Sequence, residues 1–240
     1  MRIEIELSAL DGKIPVNYNE YLQAALYQTF SRELSVFLHN YGFKYQKRTF
    51  KLFVFSDLIG SFKRECNYIR FEDSIKLYFS TPINQLMHDF ANQIIKKTTI
   101  RIFNNELKLS SLKFLKRPNF KPVNKIIMLS PLTVYSTLYS LTGKKKTYYY
   151  SPFEKEFSDL IHENLLKKHR LLGKNEKVGS ITITPLYKPM LVTRYFKNFI
   201  IKGWKGTFTI TGNPELIETG YDCGLGSKNS MGFGMFELID

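Results

Sequence analysis

The feature that most constrains this chain is the order in which its hydrophobic periodicity changes. Arg2 to Leu7 alternates with a period of two, as a half-buried strand does. Tyr18 to Asn40 switches to helical spacing, with Leu22, Leu26, Phe30, Leu34 and Phe37 three or four apart. Lys51–Ser56 and Ser74–Ser80 return to β-rich composition, Pro82 opens a helix running to Lys97, and Thr99–Phe103 and Leu107–Leu115 follow as strands. The same order recurs in the second half. Lys125–Leu129 and Val134–Leu138 are strand-like, and Pro152 opens a helix carrying Phe157, Ile161 and Leu165, with Gly173 just past its end. Ser180–Thr184 and Gly206–Thr211 alternate, Pro214 starts a short helix, and Met231–Ile239 reads as a last strand. Arg117-Pro118-Asn119-Phe120-Lys121-Pro122 separates the two sets. The expectation is an α+β chain of two tandem ferredoxin-like (βαββαβ, RRM-like) domains, residues 1–117 and 118–240. Each sheet would bury one face under its helices and leave the other for a ligand.

Composition narrows the ligand. Hydrophobic residues make up 43% of the 240, enough for packed cores. No apolar run approaches the roughly 18 residues of a membrane span, and Met1-Arg2 leads directly into the first strand, so a cytoplasmic protein without a signal peptide is expected. Cys66 and Cys223 form no CxxC pair, and the four histidines are scattered, so no metal site and no cofactor is expected. Lys and Arg exceed Asp and Glu by 35 to 21, giving a net charge of +14. Residues 101–150 hold ten of those cations against one acid, Glu106. Such a segment suits a polyanion, nucleic acid before a membrane surface, because no helix joins a basic face to a bulky apolar one.

The chain closes on Gly224-Leu225-Gly226-Ser227-Lys228-Asn229-Ser230-Met231-Gly232-Phe233-Gly234. Glycine reaches backbone angles closed to other residues and admits a second backbone at short range. A phosphate-binding P-loop needs Gly-Lys-Ser/Thr after four residues, and Lys228 lies between Ser227 and Asn229 instead. A dinucleotide fingerprint places its third glycine where Asn229 stands. Both of those loops also run from a strand into a helix, whose N-terminus holds the phosphate. This one leaves a helix and enters a strand.

Tyr27, His39 and Lys51 are candidates for chemistry, although each also has an ordinary structural reading as a helix residue, a helix-terminal cation or a solvated lysine. In one straight helix Tyr27 and His39 would lie about 18 Å apart at 1.5 Å per residue. A shared site therefore predicts a helix, a break and a second helix between residues 18 and 40. Thr29-Phe30-Ser31 offers the break, with Ser31 able to cap the second, shorter helix.

These segments together resemble a known family. Gly220-Tyr221-Asp222-Cys223 and the glycine-rich run after it are similar to the signature of the CRISPR-associated repeat-cleaving endoribonucleases, the Cas-six family of the repeat-associated RNA-binding protein superfamily. Asn19-Glu20-Tyr21-Leu22-Gln23 with Leu26-Tyr27, Leu38-His39, Lys51-Leu52-Phe53, Leu129-Ser130-Pro131 and Ser151–Phe157 resemble further family segments, in the same order and over nearly the whole chain. The resemblance implies two ferredoxin-like domains and metal-independent cutting within CRISPR repeat RNA to release guide RNAs. It places Tyr27, His39 and Lys51 at the family's catalytic Tyr, His and Lys, with Lys44 and Lys47 as rivals for the lysine. Tyr27 to His39 is a little shorter than in some relatives. RNA contacts are expected from Gly224, Gly226, Ser227, Lys228, Asn229, Gly232 and Gly234, and from Lys63, Arg64 and Lys144.

That chemistry suits the residue types. The RNA 2′-hydroxyl attacks the adjacent phosphorus, giving a 2′,3′-cyclic phosphate and a 5′-hydroxyl. Histidine, with an ordinary pKa of about 6.5, can take or give the proton. Tyrosine, at about 10, needs a cation such as Lys51 to become a base. Lysine stabilises the developing charge. The expectation is His39 as acid, Tyr27 as base or orienter of the 2′-hydroxyl, and Lys51 on the phosphate, with the two proton roles open to exchange. The alternatives are a non-catalytic repeat-RNA-binding protein, for which Gly232-Phe233-Gly234-Met235-Phe236 faintly resembles an aromatic RNP1 box, and a subunit of an interference complex with other Cas proteins. Homodimerisation is left open.

Overall fold

A computed structural model describes residues 1–8, 12–139, 142–175 and 178–239. The first half begins with β1 (Arg2–Leu7) and β2 (Ile14–Pro15), followed by α1 (Asn19–Thr29) and α2 (Arg32–Val36), which runs into a π-turn over Phe37–Tyr41. β3 (Phe43–Tyr45) and β4 (Arg48–Phe50) form a short hairpin, then come β5 (Val54–Phe55), β6 (Phe62–Glu65), β7 (Tyr68–Phe71), β8 (Ile75–Ser80), α3 (Asn84–Lys97), β9 (Thr99–Ile102) and β10 (Asn105–Phe114). The main sheet runs β5-β8-β1-β10-β9, antiparallel at every pairing.

Residues 115–122 carry no helix or strand. The second half contains β11 (Val123–Met128), β12 (Tyr135–Tyr139), β13 (Lys145–Tyr149), α4 (Lys155–Leu171), β14 (Ile181–Pro185), β15 (Met190–Phe196), β16 (Phe199–Lys205), β17 (Thr207–Gly212), α5 (Pro214–Cys223) and β18 (Phe236–Ile239). Its sheet runs β14-β17-β11-β18. In the second half the first strand, β11, is flanked by the third, β17, and the fourth, β18, with the second, β14, outermost. The first half repeats that order with β1 between β8 and β10, β5 at one edge and β9 added as a fifth strand at the other, so both are ferredoxin-like.

Three sequence expectations need correction. Strand β18 occupies only Phe236–Ile239; Asn229–Met231 form a 3₁₀ turn instead. β12 joins no large sheet but pairs with β13, and β15 pairs with β16, two ribbons that the periodicity did not place. The RNP1-like reading fails because Phe233 and Phe236 are fully buried and unavailable to stack on bases.

The break in the first helix has an identifiable cause. Phe30 and Ser31 are extended, with ψ of 158° and 153°. That turn drives Phe30 into an aromatic cluster with Phe53, Phe79 and Phe90, at ring distances of 5.2 to 6.1 Å. Burying such a ring stabilises by roughly 1.5–3 kcal/mol, more than the one or two helical hydrogen bonds given up. Ser31 does stand at the head of α2, but its side chain makes no capping bond; its backbone N–H donates to Asp89 Oδ2 at 2.9 Å.

The halves meet through buried polar contacts. Arg2 Nη1 donates to Phe236 O (2.7 Å) and Glu237 Oε2 (2.8 Å), and Nη2 donates to Tyr221 O (2.8 Å). Its guanidinium lies 3.4 Å above the Tyr221 ring centroid. Asp57 of the first half takes Arg194 Nη2 at 3.0 Å and Lys205 Nζ at 2.7 Å from the second. No helix among the described residues is long and apolar enough to cross a membrane.

Candidate nucleic-acid cleavage site

The broken helix brings Tyr27 back toward His39. Their ring centroids are 6.4 Å apart and nearly perpendicular, against the about 18 Å of a straight helix. The π-turn that carries His39 closes with Gly42 N–H donating to Phe37 O at 2.8 Å, a distortion that recurs at functional sites. Gly42 sits at φ +62°, and a Cβ there would lie 2.7 Å from Phe50 O and 3.1 Å from Lys51 Cδ. Only glycine lets the turn press against the end of β4 and bring Lys51 beside His39. Lys51 Nζ donates to His39 O at 3.1 Å. His39 is exposed, and its Nδ1 is 2.8 Å from Asn40 Oδ1; an Nδ1–H donated there leaves Nε2 for proton transfer.

Tyr27 is half-buried, its ring 5.7 Å from Phe53, and its hydroxyl shares a hydrogen bond with the Ser230 side chain. Burial pushes its phenol up to about 12. The expected lowering by Lys51 is therefore absent, and a Tyr27 phenolate base is disfavoured. Lys51 is itself shifted below the ordinary lysine value by burial.

Ser230 belongs to the glycine-rich loop, which leaves α5 and enters β18 as the sequence indicates. Its four glycines have φ between +62° and +82°. All four are buried against protein, not open to a ligand. A Cβ on Gly234 would lie 2.0 Å from Leu225 O, on Gly226 2.5 Å from Thr133 O, and on Gly232 2.6 Å from Phe55 Cε2. The close backbone approach that glycine permits here is the protein's own. Asn229 is also committed inward: Nδ2 donates to Leu225 O (2.8 Å) and Phe233 O (2.9 Å). The accessible part of the loop is Ser227 to Met231. Lys228 adopts φ +60°, holds Nζ 4.8 Å over the Tyr135 ring centroid, and is shifted down by burial.

Loop, β4 and α4 enclose a cleft of about 700 Å³ between the halves. Arg48, Lys51, Lys167, Lys168 and Lys228 line it with one acid, Glu163. Lys168 spends its ammonium on the loop, so among the described residues four cations against one carboxylate form a site for phosphates. Gly226, Ser227 and Asn229 also line it; Gly224, Gly232, Gly234, Lys63, Arg64 and Lys144 do not, and Tyr27 and His39 stand behind its wall, joined to it through Ser230 and Lys51. Lys63 pairs with Glu72 in the separate β2-β7-β6 sheet, and Arg64 Nε donates to Cys66 O in the same hairpin. Lys144 is exposed at the β12–β13 turn, the ribbon whose Tyr135, Ser136 and Thr137 form a cleft wall. The rival lysines, Lys44 and Lys47, are exposed on the β3–β4 hairpin and line no part of the cleft.

Sequence reasoning missed Lys168. Fully buried on α4, it donates from Nζ to Gly224 O (2.8 Å), Gly226 O (3.2 Å) and Asn229 Oδ1 (2.7 Å). A signal was present: Phe157, Ile161 and Leu165 define the apolar stripe, and Lys168 falls on its next step.

Comparison with known proteins places this geometry in a family. Residues 13–113 match the model described as CRISPR-associated protein Cas6, N-terminal, and residues 115–238 match CRISPR associated protein Cas6, C-terminal. A Methanocaldococcus jannaschii protein named CRISPR-associated endoribonuclease Cas6 1 is 31% identical, over 100% of this chain and 93% of its own length. A Pyrococcus furiosus protein named CRISPR-associated endoribonuclease Cas6 is 25% identical over 94% of this chain and 84% of its own. A solved structure titled CRISPR associated protein Cas6 superposes with a TM-score of 0.84 at 29% identity, covering 100% of this chain and 99% of that one. With both halves matched and the fold shared from end to end, the chain belongs to the Cas6 family of CRISPR-associated proteins.

Proposed function

We propose that this protein is an endoribonuclease that cuts within CRISPR repeat RNA of a precursor transcript, without a metal ion, from a site in residues 1–117 served by the glycine-rich loop of residues 118–240. The supporting observation is the convergence of Tyr27, His39 and Lys51 beside that loop, at ring and hydrogen-bond distances of 6.4 and 3.1 Å. The RNA 2′-oxygen attacks phosphorus, the P–O5′ bond breaks, and the products are a 2′,3′-cyclic phosphate and a 5′-hydroxyl. Because Tyr27 is held neutral by burial, the proton roles fall the other way round from the first expectation. His39 takes the 2′-hydroxyl proton, and Tyr27 donates to the leaving 5′-oxygen. Lys51 and Lys228 face the non-bridging oxygens, where charge builds in the transition state.

The test is incubation with repeat RNA in excess EDTA, followed by end-group analysis. Cyclic phosphate and 5′-hydroxyl ends are expected, with His39→Ala about 10²–10⁴ slower. Cleavage that stops in EDTA overturns the metal-free reaction. Tight binding without cleavage makes the protein an RNA-binding module.

A further inference from the structure

One buried cation holds the glycine-rich loop from beneath. An ammonium carries three N–H donors and accepts nothing. Lys168 places one donor on each of Gly224 O, Gly226 O and Asn229 Oδ1. A neutral amine would have two donors for those three acceptors. The same Asn229 amide ties the loop's two ends through Leu225 O and Phe233 O. On one side of Asn229, Ser230 shares its hydroxyl with Tyr27 and receives Gln23 Nε2 on its carbonyl at 2.6 Å. On the other, Lys228 is turned over Tyr135.

Resting on the reading of this cleft as an RNA-cutting site, we infer that Lys168 is a positioning residue for cleavage: by clamping Asn229 it fixes Ser230, and so Tyr27, on one side and Lys228 on the other. Its action is indirect, through the loop. Burial lowers the Lys168 ammonium to about 8, with the Cys223 thiol beside it raised to about 12 and therefore neutral. Arg48, Lys51, Lys167, Lys228 and Glu163 line the same cleft. As pH rises through about 8 the clamp loses its third donor, and cleavage falls with it.

The experiment compares wild type, Lys168→Met and Asn229→Ala in single-turnover cleavage of repeat RNA. Affinity is measured on RNA with a 2′-deoxy scissile nucleotide, and hydrogen exchange is followed over residues 224–234. Lys168→Met is expected to cut about 100-fold more slowly, the effect of a misplacement near 1 Å, with affinity within about threefold, faster loop exchange and no alkaline limb near pH 8. Asn229→Ala should lose a similar factor, and the double variant no more than either. Should Lys168→Met not fold, Asn229→Ala, which leaves the ammonium both glycine carbonyls, carries the same comparison. Parent-like rates, an undiminished alkaline limb, or a rate loss matched by lost affinity overturn the inference. If wild type leaves RNA intact, the cleavage reading fails, while loop exchange still decides whether Lys168 holds the loop.

Discussion

Burial acts on Tyr27 in the opposite sense from the one a general base needs. Its folded-state pKa of about 12 lies above the ordinary 10, so the neutral phenol is the form the fold favours. That contribution to stability is whole below pH 10 and is lost as pH rises through about 12. A phenolate base would make cleavage rise about tenfold per pH unit up to that value; with Tyr27 as the acid no such rise is expected. A sulfur substitution separates the roles. With the 5′-bridging oxygen replaced by sulfur, the leaving group is a thiolate of ordinary pKa about 8.5, which departs without a proton. Tyr27→Phe should cut ordinary RNA about 100-fold more slowly and recover most of that on the sulfur substrate, whereas His39→Ala should not. Recovery by His39→Ala alone would restore His39 as the acid. Sequence likeness named the three residues, but it could not carry the acidity of Tyr27, which depends on Phe53 and Ser230 closing over it from distant parts of the chain.

At the scale of elements, the break between α1 and α2 determines where His39 stands. The Ser31 hydroxyl makes no cap, whereas Asp89 on α3 accepts the Ser31 N–H. Ser31→Ala is therefore expected to change stability by less than about 0.5 kcal/mol. Asp89→Ala should cost about 1–2 kcal/mol and slow cleavage by loosening the second helix. Urea unfolding and single-turnover rates check both, and a larger loss for Ser31→Ala would overturn the assignment. The break was legible only through the demand for a shared site, because the apolar spacing runs on through Leu34 and Phe37; Thr29 and Ser31, two poor helix formers, then marked the place. The π-turn was not, since Gly42 N–H bonding to Phe37 O depends on β4 pressing against Gly42. Met231–Ile239 read as one strand because Phe233, Met235 and Phe236 are apolar, yet the φ of +82° at both Gly232 and Gly234 and the Asn229 bonds curl its first half into the loop. The β15–β16 ribbon left little trace, as Leu191, Tyr195, Phe199 and Ile200 are exposed and no clean alternation marks an inner face.

The cleft exists only while the two halves keep their places, since Arg48 and Lys51 come from one and Lys167 and Lys228 from the other. Arg2 is the central tie, bonded to Tyr221 O, Phe236 O and Glu237 and stacked on Tyr221. Removing its guanidinium leaves two carbonyls and a carboxylate without their donor, a loss of about 3–5 kcal/mol when a buried pair is broken from one side. Methionine keeps the apolar stem, so Arg2→Met tests the charge and its hydrogen bonds more than the packing. The effect should also be spatial. In wild type, unfolding followed by Trp204, the chain's single tryptophan and a reporter of the second half, should coincide with exchange of the β1 and β8 amides in the first. In Arg2→Met the midpoint should fall and the two transitions separate, because fewer contacts then remain to couple the halves. RNA cleavage should drop before either half unfolds, as Lys51 and Lys228 drift out of register. Coincident transitions with less than about 1 kcal/mol lost would assign the coupling to Asp57, which holds Arg194 and Lys205 across the same boundary.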